Sequence, residues 1–372
     1  MKLPDAIDLS RPFESIARIA LLALILTPIH AAYGYTWDND FGVDAGTGSD
    51  DNFRLSETDP IETTWNRIGL YASLDGTTEI SSLRLVLDAN QTDYSEAEIE
   101  DVTAYGLSML ASRRGERLSG SLDLSLDNRS TTETELLDTG AVIDGERKTA
   151  SVAPGLEYRF SERNSLFANL TARDVTYDTV SLTEYSENAV SLGWRHSIDE
   201  ANAYSVSLSA WEYDPEDDEA TEVESLSIGY DYRASETTRF GMTIGYSDVQ
   251  RPDDSESSGD LSLEFERDID ERNRLRLLLR NSYEPSGAGE VREENRLELQ
   301  WNHGLSERAG LTASATALST DERDYYEVSL GAGYNLARTV RVGATLRHRE
   351  QEIGAAQADS SSVFVSLSYS PL

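Results

Sequence analysis

The charged residues with the most regular spacing point to contact with dissolved solutes rather than to bond-making chemistry. In three consecutive segments, glutamates or arginines recur at every second position, which places their side chains on one face of an extended strand. On neighbouring antiparallel strands they would form a ladder of alternating charge facing the lumen of a barrel. The predicted lumen-lining residues, with two arginines nearer the C-terminus, are Glu264, Glu266, Arg274, Arg276, Arg280, Arg296, Glu298, Arg341 and Arg347. The ladder either supports adjacent strands or offers a polar wall to hydrophilic solutes, and both roles stay open.

The sequence shows no catalytic constellation. Apart from the N-terminal segment, the histidines are His196, His303 and His348, and the first two lie beside short polar turns. His348 has Glu350 and Asp359 close in sequence, so one interpretation is a surface hydrolase site, and the favoured one is a solvated rim residue. The chain has no Cys, which excludes disulfides and thiolate metal sites. We therefore expect neither an enzyme nor a cofactor.

Acidic residues dominate the chain, whose net charge is −36. This charge argues against nucleic acid as a partner, because phosphate binding needs a basic face. Five carboxylates in one polar stretch would suit Ca²⁺, but the stretch lacks the glycine and spacing of a defined calcium loop, so a solvated loop is favoured. These residues are Asp214, Glu216, Asp217, Asp218 and Glu219.

A repeat of about 36 residues determines which elements carry these side chains. Five similar turn-forming segments have glutamates 38, 36, 35 and 36 residues apart, and they are 161–164, 199–202, 235–238, 270–273 and 306–309. Between them apolar residues occupy every second position, which is the signature of β-strands. Longer polar stretches lie midway, for example Asp214–Glu224, Pro252–Asp260 and Glu284–Glu290. Each repeat is thus a strand, a long loop, a strand and a short turn.

The repeat predicts an all-β fold, a transmembrane up-and-down antiparallel barrel of about 18 strands, with 16 also tenable. Strands of about 12 residues suit a tilted crossing of the bilayer, whereas propeller blades need four short strands per repeat. The first strand is expected near Phe41–Arg54 and the last near Ser362–Tyr369, with eight short turns near residues 76, 115, 162, 200, 236, 271, 307 and 337. An even count puts both termini and all short turns in the periplasm and the acidic loops outside.

Aromatic residues cluster at the predicted strand ends, as expected for girdles at the two membrane interfaces. Near the short turns they are Tyr158, Phe160, Trp194, Tyr230, Tyr232, Phe265, Trp301, Tyr334 and Tyr369; near the long loops they are Tyr94, Tyr177, Trp211, Tyr213, Tyr246, Tyr283 and Tyr325. Trp211 and Tyr177 fall on the polar side of their strands, so they follow a bulge or point into the lumen. No long segment is an obvious plug, although the stretch Asn128–Arg147 could fold inward.

The N-terminal segment predicts export. Ile19–Ile29 is an apolar run of signal-peptide length after Arg18, and Ala31 suits a cleavage site. We assign residues 1–31 to a signal peptide and 32–372 to a barrel in the outer membrane of a Gram-negative cell. Outer-membrane lipid and lipopolysaccharide are then the expected partners.

The segment Asp51-Asn52-Phe53-Arg54-Leu55, after Gly48-Ser49-Asp50, resembles a motif of outer-membrane barrels, labelled as porins, that are encoded with exopolysaccharide export and PEP-CTERM sorting systems. The resemblance implies release of a polysaccharide from the cell, with periplasmic export components as further partners, and it assigns no functional residues. The leading hypothesis is a wide porin-like channel. The alternative is a non-conducting surface barrel whose acidic loops bind cations, lipopolysaccharide or matrix.

Overall fold

The structure is a computed structural model that describes residues 35–139, 142–216, 218–252 and 254–371. The predicted signal peptide, residues 1–31, and Asp217 of the acidic stretch lie outside the described residues. Among the described residues, no helix is both long and apolar enough to cross a bilayer.

Eighteen antiparallel strands form one closed sheet, which confirms the predicted barrel and its larger strand count. Each strand pairs with its neighbours in sequence, and β1 also pairs with β18, so the sheet has no free edge. One helix, α1, interrupts the series between β5 and β6. The elements are β1 (Thr36–Asp50), β2 (Thr63–Thr77), β3 (Ser81–Tyr94), β4 (Val102–Arg114), β5 (Leu118–Ser130), α1 (Thr131–Asp138), β6 (Glu146–Arg159), β7 (Asn164–Tyr177), β8 (Tyr185–Ser197), β9 (Asn202–Pro215), β10 (Thr221–Ser235), β11 (Thr238–Gln250), β12 (Ser255–Asp270), β13 (Asn273–Pro285), β14 (Val291–Gly304), β15 (Ala309–Ser319), β16 (Arg323–Asn335), β17 (Val340–Ile353) and β18 (Ala356–Tyr369).

The eight predicted short turns are confirmed, and all lie at one end of the barrel. They span 78–80, 115–117, 160–163, 198–201, 236–237, 271–272, 305–308 and 336–339. Polar side chains within these turns stabilise them through local hydrogen bonds. Asp199 accepts from the side chain of Asn202 and from the backbone N–H of Ala201, both at 2.8 Å, and these bonds lower the pKa of the Asp199 carboxyl.

At the opposite end, the long-loop end, most connections are shorter than predicted. The acidic stretch Asp214–Glu224 reduces to a loop of residues 216–220, and Pro252–Asp260 to residues 251–254, because the strands continue through these polar residues. Backbone pairing with a neighbouring strand does not need apolar side chains, so strands reach 11 to 16 residues instead of about 12. The two longest connections are 51–62 and 131–145.

A belt of exposed apolar side chains surrounds the barrel. Leu208, Ile228 and Leu330 are 62%, 60% and 54% exposed, although they lie in the middle of long paired strands. Soluble proteins rarely expose a continuous apolar band of this size, whereas an outer-membrane barrel needs one against lipid. The strands therefore cross the outer membrane, with alternate residues facing the bilayer.

The predicted aromatic girdle is confirmed at the short-turn end and is largely wrong at the long-loop end. Exposed aromatic side chains near the short turns include Tyr158, Phe160, Trp194, Tyr232, Tyr334 and Tyr369. Near the long loops only Tyr246 of the predicted set is exposed, whereas Tyr177, Tyr213, Tyr283 and Tyr325 are buried. These four have apolar or polar partners in loops that fold over the barrel mouth, so they cannot contact lipid.

Candidate functional site

The segment that contains α1 crosses the mouth of the barrel at the long-loop end. Glu135 of α1 accepts a hydrogen bond from the hydroxyl of Tyr177 on β7, at 3.1 Å. The backbone carbonyl of Leu136, the following residue, accepts a hydrogen bond from the side chain of Arg323 at the start of β16. In a closed ring of 18 strands, β7 and β16 are nine positions apart and therefore face each other. A segment that contacts both crosses the barrel mouth, so the described residues 131–139 and 142–145 of the predicted stretch Asn128–Arg147 fold inward, whereas its ends, 128–130 and 146–147, belong to β5 and β6.

Charge pairing holds α1 against the wall. The Glu135 side chain is fully buried, and Arg147 of β6, itself only 13% exposed, lies 3.3 Å from it. Burial of a carboxylate is costly unless a cation and hydrogen-bond donors surround it, and here Arg147 and Tyr177 meet that need. On the opposite wall, Leu136 packs against Leu318 and Tyr325 in an apolar cluster. The helix is thus anchored at both sides of the lumen.

The segment 51–55, which carries the family resemblance, is a second anchor for α1. Arg54 forms an ion pair with Asp144, on the chain that returns from α1 to β6, and Leu55 joins the apolar cluster around Leu136. Asn52 donates through Nδ2 to the carbonyl oxygens of Ser56 and Asp359, at 3.0 and 2.9 Å. The motif therefore has a structural role at the barrel mouth in this chain.

Contacts with α1 identify the inner face of the sheet and place the predicted charged residues on it. Leu318, which packs against α1, pairs with Arg296 and with Tyr325 on the two neighbouring strands. Because directly paired residues share a face and residues two apart along a strand do too, this register can be followed around the ring. All nine predicted residues lie on the face that packs against α1: Glu264, Glu266, Arg274, Arg276, Arg280, Arg296, Glu298, Arg341 and Arg347.

The predicted ladder exists as a set of cross-strand and same-strand ion pairs. Arg276 lies 3.0 Å from Glu264, and Arg274 lies 2.6 Å from Asp268 and 3.9 Å from Glu266. Further along the wall Arg296 lies 2.8 Å from Glu294 and 3.4 Å from Glu298, Arg280 lies 2.6 Å from Glu284, and Arg347 lies 3.8 Å from Glu327. Most of these side chains are a third or more exposed, so each pair contributes little to stability and stays open to exchange with a solute.

Sequence reasoning missed the other half of the same wall. Further ion pairs on the inner face include Arg129–Asp88 at 2.7 Å, Arg173–Glu187 at 3.0 Å and Arg195–Asp231 at 2.8 Å. The alternation of side chains along each strand could have identified these residues, because each lies on the opposite face of the sheet from the apolar residues of its strand. Trp211 also belongs here, because it packs against a buried cluster that includes Tyr177 and Tyr213. Of its two predicted explanations, the inward orientation is the correct one.

Histidines do not assemble a catalytic site among the described residues. His196 lies 2.9 Å from Asn164 Oδ1, and His303 contacts Asn273 in an equivalent way at another turn. His348 Nδ1 lies 3.1 Å from Ser361 Oγ, and no described contact brings a carboxylate to its other nitrogen. Over the same described residues, no three His, Asp or Glu side chains approach closely enough to hold a metal ion.

Comparison with known proteins adds only a broad likeness of fold. No protein-family model matches the chain, and no curated protein matches it significantly. Among solved structures, the outer membrane protein OpdK of Pseudomonas aeruginosa is 12% identical, with 90% of this chain and 99% of that chain covered and a TM-score of 0.47. OccK2 (OpdF) of the same organism, solved in complex with glucuronate, is 12% identical over 90% and 99% of the two chains, with a TM-score of 0.49. OccK11 (OpdR), also from P. aeruginosa, is 10% identical over 91% and 97%, with a TM-score of 0.48. At these values the likeness carries no information about solutes.

Proposed function

We propose that the protein is an outer-membrane diffusion channel for hydrophilic solutes, narrowed at its long-loop end by α1. The observation that carries the proposal is that α1 contacts two opposite walls at the mouth of a closed 18-stranded barrel whose inner wall bears exposed ion pairs. A barrel that served only as a scaffold would not need a continuous polar wall below its mouth.

The dimensions of the barrel favour an open path past α1. Eighteen strands about 4.8 Å apart and tilted by about 40° enclose a ring roughly 36 Å across, of which inward side chains leave about 25 Å. A helix about 10 Å wide and, for the eight residues of α1, about 12 Å long covers about a quarter of that area. The helix and its anchoring loops therefore narrow the lumen without filling it.

A narrower hypothesis is that the solute is an exopolysaccharide or its fragments, with periplasmic export components as partners. This hypothesis depends on the resemblance of segment 51–55 alone. Deleting the gene should then leave polysaccharide synthesis intact and retain the product inside the cell, and unchanged release would remove export from the proposal.

Planar-bilayer recording of the folded protein tests the channel. We expect discrete open-channel currents from protein whose strand content and protease resistance verify folding. If correctly folded protein gives no current, the channel is wrong and the non-conducting surface barrel, with α1 as a plug, becomes the better account.

Ion selectivity tests the role of the wall. Arg276→Gln removes a positive charge from the inner face and should shift the reversal potential toward cation preference. Arg267→Gln is the matched control, because Arg267 pairs with the lipid-facing Leu275 on the outer face. Equal shifts for the two variants would contradict the assignment of the nine residues to the solute path.

A further inference from the structure

Three aromatic rings on the inner face lie in one row across neighbouring strands near the barrel mouth, because Tyr94 pairs with Trp65, and Trp65 and Phe364 both pair with Gly48. Phe53 and Tyr94 have ring centroids 5.1 Å apart, and Tyr94 and Trp65 have centroids 6.4 Å apart. Trp65 and Phe364 follow at 6.4 Å, with ring planes only 9° from parallel. Tyr71 lies deeper on the same face, six residues from Trp65 along β2. Phe53 is buried, so the aromatic track is defined as the other four rings, Tyr94, Trp65, Phe364 and Tyr71.

Glycines on β1 form the bed of the aromatic track. A Cβ atom added at Gly42, Gly46 or Gly48 would come within 3.0 Å of the ring of Tyr71, Phe364 or Trp65, respectively. Each ring therefore lies against the bare backbone of β1 and covers it. All three side chains are partly exposed, so part of each ring remains accessible from the lumen.

Hydrogen-bonding groups flank the aromatic track on the same inner face. Asn90 pairs directly with Gly69, between the levels of Trp65 and Tyr71, and Arg67 lies between those two rings on β2. The Asp44 carboxylate lies over Gly69, and the hydroxyl of Tyr71 donates to Asp40 at 3.3 Å. Hydrogen-bond donors and acceptors therefore lie between the row of rings at the mouth and Tyr71.

We propose that the aromatic track is a binding path for a carbohydrate chain, and this inference rests on the proposed channel function. A pyranose ring presents C–H groups on its faces, which suit the negative face of an aromatic ring, and hydroxyl groups around its edge, which need hydrogen-bond partners. Successive sugar rings would stack on successive aromatic rings while their hydroxyls exchange water for Arg67, Asp44 and Asn90. An anionic polymer such as single-stranded nucleic acid also stacks on rings, but the carboxylates of Asp40 and Asp44 beside the track oppose it.

Binding of maltohexaose, a neutral linear oligosaccharide, tests this inference on the full folded chain. Two readouts are used: the concentration that blocks the open-channel current, and heat of binding to protein in lipid nanodiscs, which needs no conductance. Trp65→Leu and Phe364→Leu should each raise the dissociation constant about 2- to 10-fold, as expected for loss of one stacking contact. Trp65→Phe, which keeps an aromatic face, should retain most of the affinity.

Phe167→Leu is the matched control. Phe167 also lies inside the barrel over a glycine, Gly193, but on β7, which is five strands from β2 and outside the aromatic track. If the rings serve only to cover glycines, Phe167→Leu and Trp65→Leu will lower stability alike and neither will change maltohexaose binding, which overturns the inference. If Trp65→Leu does not fold, the affinities of Phe364→Leu and Trp65→Phe for maltohexaose decide whether the rings bind carbohydrate.

The outcomes separate this inference from the channel itself. Currents without saturable maltohexaose binding would leave the channel standing and refute the carbohydrate path. Calorimetric binding that depends on Trp65, in a protein that gives no current, would refute the channel and support the site. Polyethylene glycol of similar length is a further control. If it blocks the current as strongly as maltohexaose does in every variant, the block reflects molecular size alone, and the carbohydrate path is refuted.

Discussion

Replacing Leu277 by arginine should weaken folding into a bilayer far more than the same change at Leu278. Leu277 pairs with Phe265 and Leu299 on the neighbouring strands, and these residues form part of the lipid-facing belt. Leu278 pairs with Glu264 and Glu298, on the inner face. The two adjacent leucines therefore offer one substitution in two opposite environments.

The expected difference follows from these neighbours. An arginine on the lipid face near the bilayer midplane costs about 2–4 kcal/mol. At position 278 the guanidinium would lie between two carboxylates in water, where exposed pairs contribute about 0–1 kcal/mol and so offset the lost apolar contact. The folding equilibrium of Leu277→Arg should therefore be about 30- to 900-fold less favourable than that of Leu278→Arg.

Urea-dependent folding into phospholipid vesicles measures this difference directly. A soluble sheet packed on a protein core would also penalise position 277, so labelling from within the bilayer is the second readout. The chain has no native Cys, and a lipid-soluble probe should modify single cysteines at 275, 277 and 279 and spare those at 274, 276 and 280. Uniform labelling, or protection of the odd positions, would refute the membrane assignment of this strand.

Replacing α1 by a flexible Gly-Ser linker should raise single-channel conductance by about a third, because α1 covers about a quarter of the lumen area, as bilayer recording will show. Asp50→Ala removes the buried carboxylate that lies 2.8 Å from Arg349 and should lower the free energy of unfolding by about 3–5 kcal/mol in urea titrations, whereas Asp75→Ala, at an exposed ion pair, should cost about 0–1 kcal/mol. An epitope tag beside Asp217 should bind antibody on intact cells, and one beside Glu200 should not.

Each of these has an opposing outcome. Unchanged conductance without α1 would place the narrowest point elsewhere in the lumen. Equal costs for the two aspartate variants would mean that burial does not strengthen the pair at the mouth. Labelling at the short turns and not at the long loops would reverse the orientation of the barrel.

Local sequence determined the strands, the turns and the face of the sheet on which most side chains lie. A period of two follows from strand geometry alone, and turn residues such as Asp199 and Asn202 act through bonds to their own backbone. Both patterns depend only on residues close in sequence. The number of strands and the location of the charge ladder on the inner face could therefore be predicted. Loop lengths were overestimated because backbone pairing extends strands through polar sequence such as Thr221–Glu224.

Only the tertiary structure decided what occupies the barrel mouth and which aromatic residues belong to the membrane interface. Tyr177 and Tyr325 have the composition of girdle residues, but α1 gives them partners inside the lumen, and that helix reaches them across half the ring. Trp65 and Phe364 are about 300 residues apart in sequence and stack because β1 closes the barrel between β2 and β18. Closure is a property of the whole sheet, so no local pattern could reveal the contacts that it creates.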